Sequence, residues 1–226
     1  MAATTSLERR RTLAVDSQAV ARRFGARWVL RGVSLSVESG EVVGLLGSNG
    51  SGKSTLLRVL ATLLRPNAGS ATVGGCDVVR DPDGARRQLG FLAHAPGLYD
   101  DLTARENLRF AADMLGGSDR PIEPLLDRVG LGRAANDRVR GFSAGMQRRL
   151  ALARLLLASP LVLLLDEPYS NLDVEGIALM NAVLQEHVAR GGAAIVVLHE
   201  LAPASGILHR TVTLENGRLD APGVAV

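Results

Sequence analysis

One octapeptide constrains this chain more than any other: Gly47-Ser48-Asn49-Gly50-Ser51-Gly52-Lys53-Ser54, which fits the pattern G-x-x-x-x-G-K-[ST]. It follows a continuous apolar run over 42–46, of the kind that lies buried on both faces of a parallel sheet. A helical pattern over 53–64 follows it, closed by Pro66, Asn67 and Gly69. The glycines let the backbone bend until successive N–H groups converge on phosphate oxygens, and the start of the helix adds its positive dipole end. Lys53 supplies a point charge for the β- and γ-phosphates, the Ser54 hydroxyl a ligand for Mg²⁺, and Thr55 extends the same turn. Of the 26 Lys and Arg residues, Lys53 is the single lysine. A chain that uses arginine everywhere else keeps a compact ammonium at the one position where phosphate chemistry asks for it.

A second apolar run, 161–165, ends in Asp166 and Glu167. In an open parallel sheet ligands bind beyond the carboxyl ends of the strands. There Asp166 is placed to hold Mg²⁺ through water and Glu167 to act as general base on an attacking water. A cap or turn is the plainer use of two adjacent carboxylates, and it loses ground once the phosphate loop is granted. Around these motifs, alternation predicts antiparallel strands over 13–20 and 29–37, and short strands around Gly74-Gly75 within 71–92. Mainly helical structure is predicted over 101–157, a helix over about 174–190, a strand over 193–198, and a tight hairpin at Glu215-Asn216-Gly217. The fold class is α/β: a mostly parallel core sheet, an N-terminal antiparallel β-subdomain, and a helical insertion over about 95–158. Residues 12–226 form a single domain, and residues 1–11 a flexible arm whose short basic run reads as a solvated tail.

With 46% hydrophobic and 22% charged residues and a net charge of +3, the chain is neither disordered nor fibrous. Its one cysteine, Cys76, excludes a disulfide framework. No apolar run reaches the roughly 18 residues of a membrane span, and none follows the N-terminal basic residues to make a signal peptide.

Gly141-Phe142-Ser143-Ala144-Gly145-Met146-Gln147, standing before Asp166-Glu167, resembles the signature motif of ABC-transporter ATPases, usually L-S-G-G-Q. The resemblance runs from about residue 13 to 219. Phe24 matches the aromatic that stacks on adenine in that family, Ser170-Asn171-Leu172-Asp173 its D-loop, and His199 its switch histidine. The residues alone give Ser143 and Gly145 a second helix start suited to anionic phosphate. The resemblance implies the rest: a Mg²⁺-dependent ATPase in which two chains, identical or paired, pack head to tail. Each ATP then lies between one chain's phosphate loop and the other's Ser143, Ala144, Gly145 and Met146. Two positions depart from the pattern. The glutamine of the family's Q-loop falls on His94, whose imidazole can still accept a hydrogen bond or approach the metal. Met146 also removes the signature's glutamine side chain.

The resemblance further implies transmembrane permease partners, docking in the helical insertion near Leu98, Tyr99 and Leu102, and a peripheral place on the cytoplasmic face of the membrane. Leu102 and Phe110 serve either that dock or the subdomain core. The run His94-Ala95-Pro96-Gly97-Leu98, with Leu102 to Phe110 beyond it, is most similar to the CcmA-like branch of haem exporters used in cytochrome c maturation. That branch implies hydrolysis that releases a haem-loaded chaperone. No residue reads as a haem ligand: Cys-x-x-Cys-His is absent, His187 is expected at the surface, and His209 is expected to be structural. The alternatives are the ATPase of a drug, antibiotic or polysaccharide exporter, and a soluble ABC ATPase outside transport. Nucleic acid is a poor partner, with aromatics at 3%. A P-loop kinase leaves Ser143-Ala144-Gly145 and His199 without a role.

Overall fold

The computed structural model describes residues 12–117 and 120–220; the expected arm over 1–11 lies outside them. Two sheets make the frame. In the first, β1 (Leu13–Phe24), β2 (Arg27–Glu38), β4 (Ala68–Val73) and β5 (Cys76–Asp77) are antiparallel in the order β2-β1-β4-β5. The first two strands outrun the expected 13–20 and 29–37 because Gly25, at φ 57°, turns the chain tightly and lets pairing continue to Phe24 and Arg27. In the second sheet, β3 (Val42–Leu46), β6 (Leu89–Leu92), β7 (Val162–Asp166), β8 (Ala193–Val197), β9 (Arg210–Glu215) and β10 (Arg218–Leu219) run in the order β10-β9-β3-β8-β7-β6. Every neighbouring pair is parallel except the terminal hairpin, where Asn216 and Gly217 both take positive φ. The α/β class with a mostly parallel core sheet is the one the apolar runs at 42–46 and 161–165 require.

The described residues form six α-helices, α1 (Lys53–Leu60), α2 (Pro82–Gln88), α3 (Ala104–Met114), α4 (Ile122–Arg128), α5 (Ala144–Leu157) and α6 (Val174–Ala189). Helix α1 stops four residues short of the expected 64. Thr62 takes φ 62°, its N–H bonds the Val59 carbonyl, and the Leu63 N–H bonds that of Arg58. This is a Schellman ending with threonine where glycine is usual. Helix α2 replaces part of the strand region expected within 71–92; Asp81 caps it, accepting from the Gly84 N–H at 2.9 Å, and Pro82 opens it.

Three apolar cores result. The first lies between the sheets and against α1, around Val15, Val33, Leu45, Leu56 and Leu60. The second packs Leu152, Leu155, Met180 and Leu184 on the other face of the parallel sheet. The third holds the helical segment together through Leu108, Leu126, Val139, Leu150 and Leu157. Helix α5 contributes to the second and third cores at once, so from Leu150 to Leu157 it is buried on nearly every side apart from Arg154.

Candidate functional site

The parallel register brings distant residues to one edge. Val197 pairs with Leu45 on one side and with Asp166 on the other, so the loop after β3 stands level with the carboxylates ending β7. Leu92 pairs with Leu165, which carries the loop holding His94 to the same edge, and His199 leaves β8 there. This is the carboxyl edge at which such sheets bind ligands.

The phosphate loop is shaped by close approaches. A Cβ on Gly47, at φ 140°, would meet the Leu214 carbonyl oxygen at 2.1 Å, and one on Gly52 would meet Leu30 at 2.9 Å. Gly50 has no such neighbour within 4 Å. Lys53 is 6% exposed, and its ammonium donates to the Gly47 and Ser48 carbonyls at 2.6 and 2.9 Å. Glu215 holds Ser48 from behind, accepting from its N–H and its hydroxyl at 3.1 Å each. A cleft of about 290 Å³ opens between Asn49, Gly50, Lys53, Ser54 and Thr55 and, across it, Glu167. Phe24 is half exposed with the Arg22 guanidinium 4.8 Å over its ring, and it does not wall the cleft. Its cross-strand partner Arg27 does, a residue whose position across the Gly25 turn made it findable.

Asp166 is 2% exposed and its Oδ1 is buried without a partner. A lone buried carboxylate oxygen at the end of β7, beside the Glu167 that lines the cleft, suits a hard cation or the water such a cation holds. Glu167 takes φ 53°, a backbone state that costs a non-glycine residue about 1–3 kcal/mol and tends to mark functional sites. Its carboxylate lies between two histidines: Oε1 is 2.6 Å from His199 Nε2, and Oε2 is 3.4 Å from His94 Nδ1.

The Ser143 turn is elsewhere. Ser143 caps α5, its Oγ accepting from the Met146 N–H at 3.2 Å, and both Ser143 and Ala144 are exposed. Met146 walls a shallow hollow with Arg138, Arg140 and Phe142, separate from the Lys53 cleft. The starts of α1 and α5 in one copy thus stand by two different concavities. Gly145 abuts Asn171, whose carbonyl oxygen stands 2.8 Å from where a Cβ would be. Asp173 caps α6 through the Gly176 N–H at 2.8 Å and pairs with Arg149. The Gly176 N–H first, then Arg149, hold the Asp173 carboxyl below its ordinary value.

Of the residues expected at a partner dock or in the subdomain core, Tyr99 and the exposed Phe110 wall an apolar groove of about 300 Å³, with Met114, Leu115 and Arg154. The Tyr99 and Phe110 rings meet edge to face at 5.0 Å. Leu98 and Leu102 are half-buried, and Leu98 leans on the third core. His187 is not at the surface as expected: it is 7% exposed, with Nε2 3.1 Å from the Leu161 carbonyl and 3.2 Å from that of Ala193. It falls on the stripe of Met180, Val183 and Leu184 that faces the sheet. His209 is structural, its Nδ1 accepting from the Val42 N–H at 3.1 Å.

Comparison with known proteins agrees with this geometry. Residues 30–170 match the family model described as ABC transporter. The cytochrome c biogenesis ATP-binding export protein CcmA of Cupriavidus pinatubonensis is 41% identical over 80% of this chain and 81% of its own. The Nod factor export ATP-binding protein I of Burkholderia lata is 37% identical over 92% of this chain and 70% of its own. A solved ATP-binding cassette, in a dimeric post-hydrolysis state bound to ADP and Pi, superposes with a TM-score of 0.81 at 27% identity, covering 92% of this chain and 97% of the other. A phosphate loop between a buried strand and a helix, paired carboxylates at the sheet edge and the Ser143 turn thus converge on one conclusion: the chain belongs to the ABC transporter family, as an ATP-binding, ATP-hydrolysing subunit.

Proposed function

We propose that this chain drives a haem-handling complex of the cytochrome c maturation type, in which ATP hydrolysis releases a haem-loaded chaperone from membrane subunits. The observation that carries this reading is His94 directed at Glu167 from the position where the family places glutamine, in a chain 41% identical to a cytochrome c biogenesis subunit. In the site, the N–H groups over 47–54 and the Lys53 ammonium bind the phosphates, with Ser48, Asn49, Gly50, Ser51, Gly52 and Thr55 closing round them. Arg27, on the cleft wall, takes the base and sugar side, and Phe24, its cross-strand partner just outside that wall, stacks on the base. Ser54 and Asp166 hold Mg²⁺, which when bound neutralises charge on the β- and γ-phosphates. Glu167 takes the proton of the attacking water as its oxygen approaches the γ-phosphorus, and His199, bonded to Oε1, fixes the carboxylate's direction. His94 fixes it from the other oxygen.

Ser143, Ala144, Gly145 and Met146 serve the nucleotide of a second copy or of a paired ATPase, with Asp173 setting the adjoining loop through Arg149. The Tyr99 groove takes the permease partner and holds the subunit at the cytoplasmic face of the membrane; no helix among the described residues is long and apolar enough to cross it. The test is affinity purification from detergent-solubilised membranes. Co-purification of membrane subunits that bring a haem Soret band supports the reading, and permeases without haem overturn it in favour of another exporter. The 37% identity to a Nod factor export subunit, over 92% of the chain, gives that second reading its footing.

A further inference from the structure

Arg148 belongs to none of the motifs. It lies on the first turns of α5 and is 4% exposed. Its guanidinium spans two loops: Nη1 donates to the Ala93 carbonyl at 2.7 Å and that of His94 at 3.3 Å, while Nη2 donates to the Asp166 carbonyl at 2.9 Å and that of Glu167. Nε is buried without a partner. Burial lowers the group's pKa, and the charges of Asp166 and Glu167 only partly oppose it. A buried cation satisfied by carbonyl dipoles is expensive, and an apolar side chain at this helix position packs at lower cost. The cost points to a demand on geometry. Two carbonyls in each of two adjacent loops need a planar, forked donor, which arginine has and lysine lacks.

We infer that Arg148 is a positioning residue for hydrolysis: it ties the main chain at His94 and at Glu167 to the helix that begins at Ser143, so that carboxylate, loop histidine and Ser143 turn are held as one body. This rests on the reading of Glu167 as the base. The Glu167 backbone, already in a left-handed state, has its carbonyl held by this fork. Further along α5, Arg154 donates to the Pro96 carbonyl at 2.8 Å and to that of Gly97, and it also walls the Tyr99 groove. Helix α5 thus grips both ends of the 93–97 loop, with the groove at Arg154 and the main chain of Asp166 and Glu167 at Arg148.

The test uses the full chain with R148K and R148M, measuring kcat, KM, affinity for a fluorescent ATP analogue and melting temperature, with E167Q alongside. A misplaced catalytic group costs on the order of 100-fold, so both variants are expected to lose about 10- to 100-fold in kcat while nucleotide affinity stays within about twofold. R148K should recover more of the melting temperature than R148M without recovering kcat. A folded variant with wild-type kcat, a loss confined to KM, or a kcat that returns with thermal stability overturns the inference. So does failure of R148K to fold, which marks a purely structural staple. E167Q separates the two claims: wild-type hydrolysis by E167Q removes the general base and leaves the Arg148 measurements standing on their own.

Discussion

Replacing Glu167 with glutamine takes away one negative charge and little else. The amide is isosteric, tolerates φ 53° no worse than glutamate, and still bonds His199 at the 2.6 Å position. A general base contributes about 10²- to 10⁴-fold, which at about 1.36 kcal/mol per tenfold is about 2.7–5.4 kcal/mol of barrier. The phosphate-binding groups, Lys53 and the loop N–H donors, are untouched, so nucleotide affinity is expected to change less than about threefold. A partly exposed substitution of this kind shifts stability within about 0.5 kcal/mol, or about 2 °C in melting temperature. Single-turnover phosphate release reads the rate, and light-scattering mass at saturating ATP reads the assembly. The expected result is hydrolysis down at least about 100-fold with a stable ATP-bound dimer. Hydrolysis above a tenth of the wild-type rate refutes the base, and a monomer at saturating ATP refutes the shared pocket.

Gly47→Ala places a methyl 2.1 Å from the Leu214 carbonyl oxygen at φ 140°, which is expected to cost at least about 2 kcal/mol and to abolish nucleotide binding, read by melting and by titration. Met114→Glu puts a charge into the Tyr99 groove at a side chain that is 75% exposed; membrane recruitment should fall at least about tenfold with melting unchanged, as flotation assays would report. His187 has its pKa lowered chiefly by burial from an ordinary 6.5. The unfolded chain therefore takes up this proton first, and the contribution of His187 to stability, full above pH 6.5, is lost as pH falls below it. His187→Gln should flatten that part of the melting-temperature profile.

Where burial is dictated by pattern, the fold was legible. The runs at 42–46 and 161–165 have no polar face, so they had to be covered on both sides, and Asn216-Gly217 announces its hairpin by backbone preference alone. The end of α1 was not legible, because a threonine at positive φ runs against its own preference and is held by Arg86, which donates to its hydroxyl at 2.7 Å. His187 was misread although it falls in step with Met180, Val183 and Leu184. The phosphate loop and carboxylates could be read because each is a contiguous string of side chains. Arg148 could not, since one arginine among 25 carries no mark and its partners are main-chain carbonyls, which look alike in every residue.

Leu214 and Glu215, the wall and the tether of the phosphate loop, are made more than 160 residues after it. On the ribosome the glycines at 47–52 therefore emerge long before the strand that gives them their shape, and a nascent chain cannot recognise a nucleotide until β9 has slid in beside β3. A chain cut at residue 209 keeps every motif residue and should still be blind to ATP.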